Sequence, residues 1–415
     1  MIESEFEKSI EWQMRTAESF SPFITSGSRG WAKYYADHGD LFVRITNLRR
    51  DRIKLDLSDR QHLALPSGER EGLRTGLRQG DILVSITADI GIIGYVDESF
   101  PTPAYINQHV ACLRLPADRV SPKFVAYYLA SAEPQRRFIE MTDVGAKTGI
   151  NLTTVGRLAF PYPALKEQKA IADALSDADA LIETLEQLIA KKRAIKQGAM
   201  QELLSGKRRL PGFSAPWEDR PFASLARIRN NKIQTKGRAE AVNCIELDQI
   251  ETETGMVTHW VDASGRSAIK YMFEAGDVLF GRLRPYLRKF HRASRSGVCS
   301  TEIWPLTPIG VVSGFLYQLI QTNGFISAAC EAYGTHMPRA DWGKLSALTV
   351  AVPTDEKEQA AVAETLLDME EEINALHARL VKARAIKQGM MQSLLTGRIR
   401  LPGFAPAGEV VEAAE

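Results

Sequence analysis

Two stretches of the chain carry apolar residues at alternating steps of four and three. The first is marked by Ile171, Leu175, Ala178, Ile182, Leu185 and Ile189, the second by Val362, Leu366, Met369, Ile373, Leu376 and Leu380. A seam this narrow belongs to a coiled coil, whereas a helix covering a globular core shows a wider stripe. Each stretch is therefore predicted to be a long helix in need of a partner helix. Acidic residues crowd the early turns (Glu167, Asp173, Asp177; Glu358, Glu364) and basic ones the late turns (Lys191, Lys192, Arg193, Lys196; Arg379, Lys382, Arg384, Lys387), which complements the helix macrodipole. Gly206 and Gly397, with Pro211 and Pro402 beyond them, predict where the helices stop. Gly198 and Gly389 lie inside the pattern, where glycine costs about 1 kcal/mol against alanine. A bend there, or the close approach of another backbone, is expected.

The two helices are copies of one another. KEQKAIADALSDADALIETLEQLIAKKRAIKQGAMQELLSGKRRLPGF, starting at Lys166, returns without a gap from Lys357, with about half its positions identical. Before and between the copies the texture changes to short β-like runs broken by Gly, Pro and Asp, such as GDILVSITADIGIIGYV from Gly80 and GDVLFGRLRPYLRKF from Gly276. Each is followed by another strand candidate and an apolar helix candidate (FVAYYLAS from Phe124; FLYQLIQT from Phe315). These segments read as two diverged versions of one α+β domain. The expected organisation is variable domain 1–160, helical spacer 161–213, variable domain 214–351, helical spacer 352–404 and an acidic tail 405–415. Each seam then has a natural partner in the same chain, so a pair of long helices acting as a spacer or ruler is expected.

Composition narrows the function. Lys and Arg number 52 against 51 Asp and Glu, a net charge of +1, which excludes a uniformly basic nucleic-acid coat. The four cysteines are far apart, with no zinc-like spacing, and suggest a reduced, cytoplasmic protein. The acidic start MIESEFEKSIEWQ has no signal-peptide core, and no apolar run reaches the roughly 18 residues of a membrane span. Export and membrane insertion are not expected.

Neutrality in total is compatible with sorted charge. From Val278 to Thr301 there is no acidic residue, while Arg282, Arg284, Arg288, Lys289, Arg292 and Arg295 interleave with Tyr286, Phe290 and His291. A second acid-free stretch, Pro221 to Ala239, carries Arg227, Arg229, Lys232, Lys236 and Arg238. The first variable domain offers RITNLRRDRIK (Arg44, Arg49, Arg50, Arg52, Lys54) and Arg29 and Lys33 beside Trp31. Such local surpluses suit phosphate, because each neutralised phosphate releases counterions. Ser26, Ser28, Arg29, Trp31, Lys33, Arg49, Arg50, Lys147 and Thr148 in the first domain are the candidate DNA contacts. Their counterparts in the second are Arg282, Arg284, Tyr286, Arg288, Lys289, Arg292, His336 and Arg339. Catalytic signatures are missing: the chain has no Pro-Pro-aromatic methyltransferase tetrapeptide, GxxxxGK[ST] loop, HExxH or GxSxG. His109, within INQHVACL, reads as a core or hydrogen-bonded histidine, and no catalytic or metal-binding residue is expected.

The repeat and its motifs resemble the specificity subunit of type I DNA restriction-modification systems over nearly the whole chain. PALKEQKAIADAL and AIKQGAMQELLSGKRRLPGF look like the first conserved helical region of that family. ITSGSRGWAKYY, LFVRITNLRR, GDILVSITADIG, AYINQHVACLRL and GAKTGINLTTVGRL look like one class of target-recognition domain; GDVLFGRLRPYLRKFHRA, CSTEIWPLTP and YGTHMPRADWGKL look like another. The resemblance implies that each recognition domain reads one half of a bipartite site in double-stranded DNA and that the antiparallel helices set the distance between them. It also implies two methyltransferase subunits docked on the helical regions and ATP-hydrolysing restriction subunits. S-adenosylmethionine, ATP and Mg²⁺ would be bound by those partners and not by this chain. The tail APAGEVVEAAE matches no motif of the family.

Overall fold

The computed structural model describes residues 12–66, 70–143, 149–235, 243–264, 269–331 and 337–404. Its two dominant elements are the helices Leu165–Leu203 and Glu356–Leu394, 39 residues each. Seam residues Ile171, Leu175, Ile182, Leu185 and Ile189 are buried, as are Val362, Leu366, Ile373, Leu376 and Leu380, with Met369 half-buried. Both helices end ahead of a glycine in the left-handed region, Gly206 (φ 69°) and Gly397 (φ 74°), which only glycine adopts without strain. The close approach of another backbone at Gly198 and Gly389, one of the two expectations there, is not found. Both lie within unbroken helix, and a Cβ on either would meet nothing within 4 Å.

The chain divides into two compact units, Met1–Thr184 with Leu380–Glu415, and Leu185–Arg379. The division falls inside both helices. Each unit therefore consists of one variable domain, half of the first long helix and the opposite half of the second.

In the first unit an antiparallel sheet runs in the order Phe23–Ser26, Val110–Arg114, Ile82–Ser85, Ile93–Tyr95. Strand alternation sends Ile82 and Val84 to one face and Leu83 to the other. Ile82 and Val84 meet Phe124, Val125 and Phe138 of the helices Pro122–Leu129 and Ala132–Asp143, together with Ile171, Leu175, Met391 and Leu394 of the long helices. Leu83 packs with Cys112, Leu41, Val43 and Ile106, the last three from a second sheet ordered Tyr35–Ala36, Gln61–Leu63, Asp40–Val43, Ala104–Ile106. Burial on both faces explains why Ile82, Leu83 and Val84 follow one another without a polar break.

The second unit repeats this plan. Its first sheet is ordered Ala226–Ile228, Ile303–Pro308, Val278–Gly281, Phe290–Arg292. Val278 and Phe280 face the helical side with Phe315, Phe325, Met200 and Val362, while Leu279 joins Ile245, Phe273 and Cys299 on the second sheet. The glycines that open the central strands, Gly80 and Gly276, have φ of 88° and 90°. The aspartates after them are fully buried and gripped by an arginine each, Arg114 on Asp81 (2.6 and 2.7 Å) and Arg229 on Asp277 (2.7 and 3.1 Å). Arg229, one of the acid-free basic stretch, thus holds the fold together, and the Asp277 carboxylate pushes its pKa up.

Helix and domain are fastened identically in both units. The first-turn glutamines Gln168 and Gln359 each accept a backbone N–H from the domain (Ser121, 2.9 Å; Val312, 2.8 Å) and donate to a proline carbonyl (Pro163, 2.8 Å; Pro353, 2.9 Å). The neighbouring glutamates are buried against an arginine from the segment after the other helix, Glu167 with Arg400 and Glu358 with Arg209.

Candidate nucleic-acid interface

The loops that leave the central sheet at one end converge on a shared backbone frame. In the first unit the N–H of Ile86 donates to His109 O (2.9 Å) and that of Ile150 to Ile86 O (2.9 Å), and Thr87 bridges to Gly149. In the second unit Arg282 N–H donates to Glu302 O (2.9 Å) and Ala340 N–H to Arg282 O (2.8 Å), and Leu283 bridges to Arg339. On this common frame the two units place unlike polar groups.

In the first unit Gly27 N–H donates to Asn107 O (3.1 Å), and a Cβ there would lie 2.0 Å from Ile106 O, so only glycine permits the approach. Arg74 then binds Thr25 Oγ1 (2.6 Å), Ser26 O (2.8 Å) and Ser28 Oγ (2.7 Å). Beside it Gln108 Nε2 donates to His109 Nε2 (2.9 Å), which leaves Nδ1 to donate to Thr87 Oγ1 (2.5 Å). His109 is hydrogen-bonded, as its sequence context suggested; Arg74 and Gln108 were not singled out from the sequence. The signal available for Gln108 was a polar INQH break between two apolar strands; Arg74, in the helix Arg70–Thr75, carried none.

The predicted contacts fall into distinct groups. Arg29 and Lys33 are exposed, Lys33 with its Nζ 4.6 Å over the Tyr34 ring. Trp31 departs from its expected place: it is 4% exposed, packed with Phe42 and Leu63 and stacked on Tyr105 at 5.8 Å. Its ring is core and has no open face for a base. The basic run that follows is neutralised by its own domain and by the long helix. Arg44 pairs with Asp59, Arg49 with Asp56, Arg50 with Asp89, Arg52 with Asp51 and Lys54 with Glu183. Hydrogen bonds from Ser58 and then Arg49 hold the Asp56 carboxyl down at about 2. Lys147, Thr148 and His336 lie outside the described residues.

The second unit presents its cations differently. After strand Val278–Gly281 the chain makes a tight turn, Pro285–Leu287, flanked by Arg284 and Arg288, both at φ 51°. Arg288 is turned inward, donating to Gln321 O (2.7 Å) and Asn323 Oδ1 (3.2 Å), and Lys289 caps Leu247 O (2.8 Å). These two anchor the turn. Arg284, Tyr286 and Arg292 are exposed, and no ion pair engages Arg284 or Arg292 among the described residues. Arg282 lies 5.2 Å over the Trp304 ring, its Nε buried without a partner among the described residues. Arg339 forks onto Glu302 (3.0 to 3.2 Å), which raises its pKa.

Chemistry of other kinds finds little support in the described residues. No group of three His, Cys, Asp or Glu could hold a metal, and burial pushes the Cys112 and Cys299 thiols well up, away from the reactive thiolate. No described helix is long and apolar enough to cross a membrane.

Residues 75–192 match the family model described as the type I restriction modification DNA specificity domain. That part of the chain is similar to type I restriction-modification specificity subunits. Over 169 residues the chain is 27% identical to the EcoDI specificity subunit of Escherichia coli (40% of this chain, 36% of that protein), and over 145 residues 27% identical to the MjaVIII specificity subunit of Methanocaldococcus jannaschii (33% of each). These matches span about a third of each curated relative's length. The fold of the chain is similar to that of the S subunit of a type I restriction-modification system from M. genitalium. The two superpose with a TM-score of 0.62 at 16% identity, covering 94% of this chain and 98% of that one.

Proposed function

We propose that the chain is the DNA specificity subunit of a type I restriction-modification complex, without catalysis of its own. In this reading it recognises a bipartite, asymmetric site in double-stranded DNA. Two methyltransferase subunits and the restriction subunits dock on it and bring S-adenosylmethionine, ATP and Mg²⁺. One observation carries the reading: a repeated backbone frame with repeated helix fastenings presents Gln108, His109, Thr87 and Ser28 in one unit and Arg282 and Arg284 in the other. Repeated fastenings suit two copies of one partner, while unlike polar ends suit two different half-sites. Amide and hydroxyl groups favour adenine or mixed edges, and arginine favours guanine or phosphate.

The test compares the methyltransferase subunits with and without this chain, at fixed salt, on duplexes carrying the motif found by methylome sequencing of a host with the complete system. Sequence-specific binding that requires the chain is expected. Binding no stronger than that of the methyltransferase alone would reject the proposal, as would methylation or cleavage by the purified chain alone.

A further inference from the structure

Beyond the first-turn fastenings, each unit holds a second polar network among the apolar side chains at the junction between its variable domain and both long helices. In the second unit Tyr317 of the domain donates to Glu370 Oε1 (2.6 Å), and Lys196 of the other helix donates to Glu370 Oε2 (2.8 Å). In the first unit Tyr127 donates to Asp179 Oδ2 (2.8 Å), and Lys387 pairs with Asp179 Oδ1 (2.6 Å). Asp179 and Glu370 occupy the same column of the repeat, as do Lys196 and Lys387, so the helices exchange roles between the units. Tyr127, Tyr317, Glu370, Lys196 and Lys387 are all less than 10% exposed.

Each lysine reaches one step further, toward the basic segment of its domain. Lys387 donates to the Asp51 carbonyl (3.3 Å), between Arg50 and Arg52. Lys196 donates to Gln321 Oε1 (3.4 Å), whose backbone carbonyl holds Arg288 at the foot of the Arg284 turn.

An apolar junction alone tolerates sliding and rotation, because hydrophobic burial has no direction. A buried ion pair adds little net stability, but every displaced arrangement leaves a charge without its partner. Resting on the functional reading above, we propose that these two networks are positioning devices: they fix the angle at which each recognition domain stands on the helix pair, and thereby the separation of half-sites that the complex accepts. Tyr127, Asp179, Lys387, Tyr317, Glu370 and Lys196 are positioning residues that touch no DNA.

The test is a triple variant, Tyr317→Phe, Glu370→Leu, Lys196→Met, which removes the network while keeping its bulk. The full chain is assembled with its methyltransferase subunits. The probes are duplexes with the native bipartite motif, duplexes with the spacer one base pair longer or shorter, and a duplex with the second half-site alone. Expected are a melting temperature close to that of the wild type, half-site affinity unchanged within about twofold, and a loss of about tenfold in the preference for the native spacer. An unchanged spacer preference, or an equal loss on half-site and bipartite DNA, would overturn the proposal and leave the networks as ordinary stabilising contacts. Should the triple variant fail to fold, Tyr317→Phe and Tyr127→Phe, each losing one hydroxyl, carry the same readout with about a threefold expected change. If the wild-type complex shows no sequence-specific binding, the functional reading itself falls, and the proposal with it.

Discussion

Arg284 and Arg49 are both exposed arginines in basic runs, yet only Arg49 has a carboxylate on its guanidinium. An arginine already paired must give up Asp56 to meet a phosphate, so its net contribution to DNA binding is small. Arg284→Ala is therefore expected to weaken binding and reduce the slope of log K against log salt by about one. Arg49→Ala should leave both nearly unchanged, and anisotropy titrations across a salt series would separate the two. The sequence showed RITNLRRDRIK as basic, but its neutralising partners include Asp89 and Glu183, far along the chain. Pairings of that separation are written in the fold and not in the local pattern. The buried phenols give a second expectation. Burial first, then the adjacent Asp179 or Glu370, raises the pKa of Tyr127 and Tyr317. A raised folded-state pKa contributes stability that is complete below the unfolded value of about 10 and is lost as pH rises above it. Tyr127 and Tyr317 should be among those of the 11 tyrosines that resist ionisation in an alkaline absorbance titration until the protein unfolds, and Tyr127→Phe with Tyr317→Phe should reduce that late phase by two tyrosines.

At the scale of elements, the two long helices were readable because their seams, charge gradients and stop signals agree with one another. Their glycines were readable only in part. Gly397 sits at φ 74° with the Trp12 ring 3.1 Å from where a Cβ would be, whereas Gly389 faces open space inside the helix. The same substitution should thus act in opposite directions. Gly397→Ala is expected to destabilise by about 1 kcal/mol or more, and Gly389→Ala to stabilise by roughly 0.4–1 kcal/mol, as read from denaturation midpoints. The strands were visible as apolar runs, but their order was not. Phe23–Ser26 pairs with Val110–Arg114, and Asp40–Val43 runs parallel to Ala104–Ile106, partners chosen by closure of a core buried on both faces. Trp31 shows the same limit at a candidate site. Beside Arg29 and Lys33 it reads as an aromatic among cations, and only the second sheet reveals the pocket that takes its ring.

For the whole molecule, the repeat gave the organisation but placed its boundaries between helices and domains, while the compact units divide within the helices. The unit Leu185–Arg379 is continuous in sequence; the other joins residues from both sides of it. The core around Ile171 and Leu175 includes Met391, Leu394 and Leu395, more than 200 positions later. During synthesis the first variable domain is therefore expected to wait, with one apolar face uncovered, while the later domain can close on helix already made. Deletion of residues 380–415 should unfold the first domain and spare the second, so that limited proteolysis leaves a resistant fragment close to 185–379. Equal resistance of both domains would contradict this order. A translation product cut short within the helix Glu356–Leu394 would lose the half of the molecule that was made first.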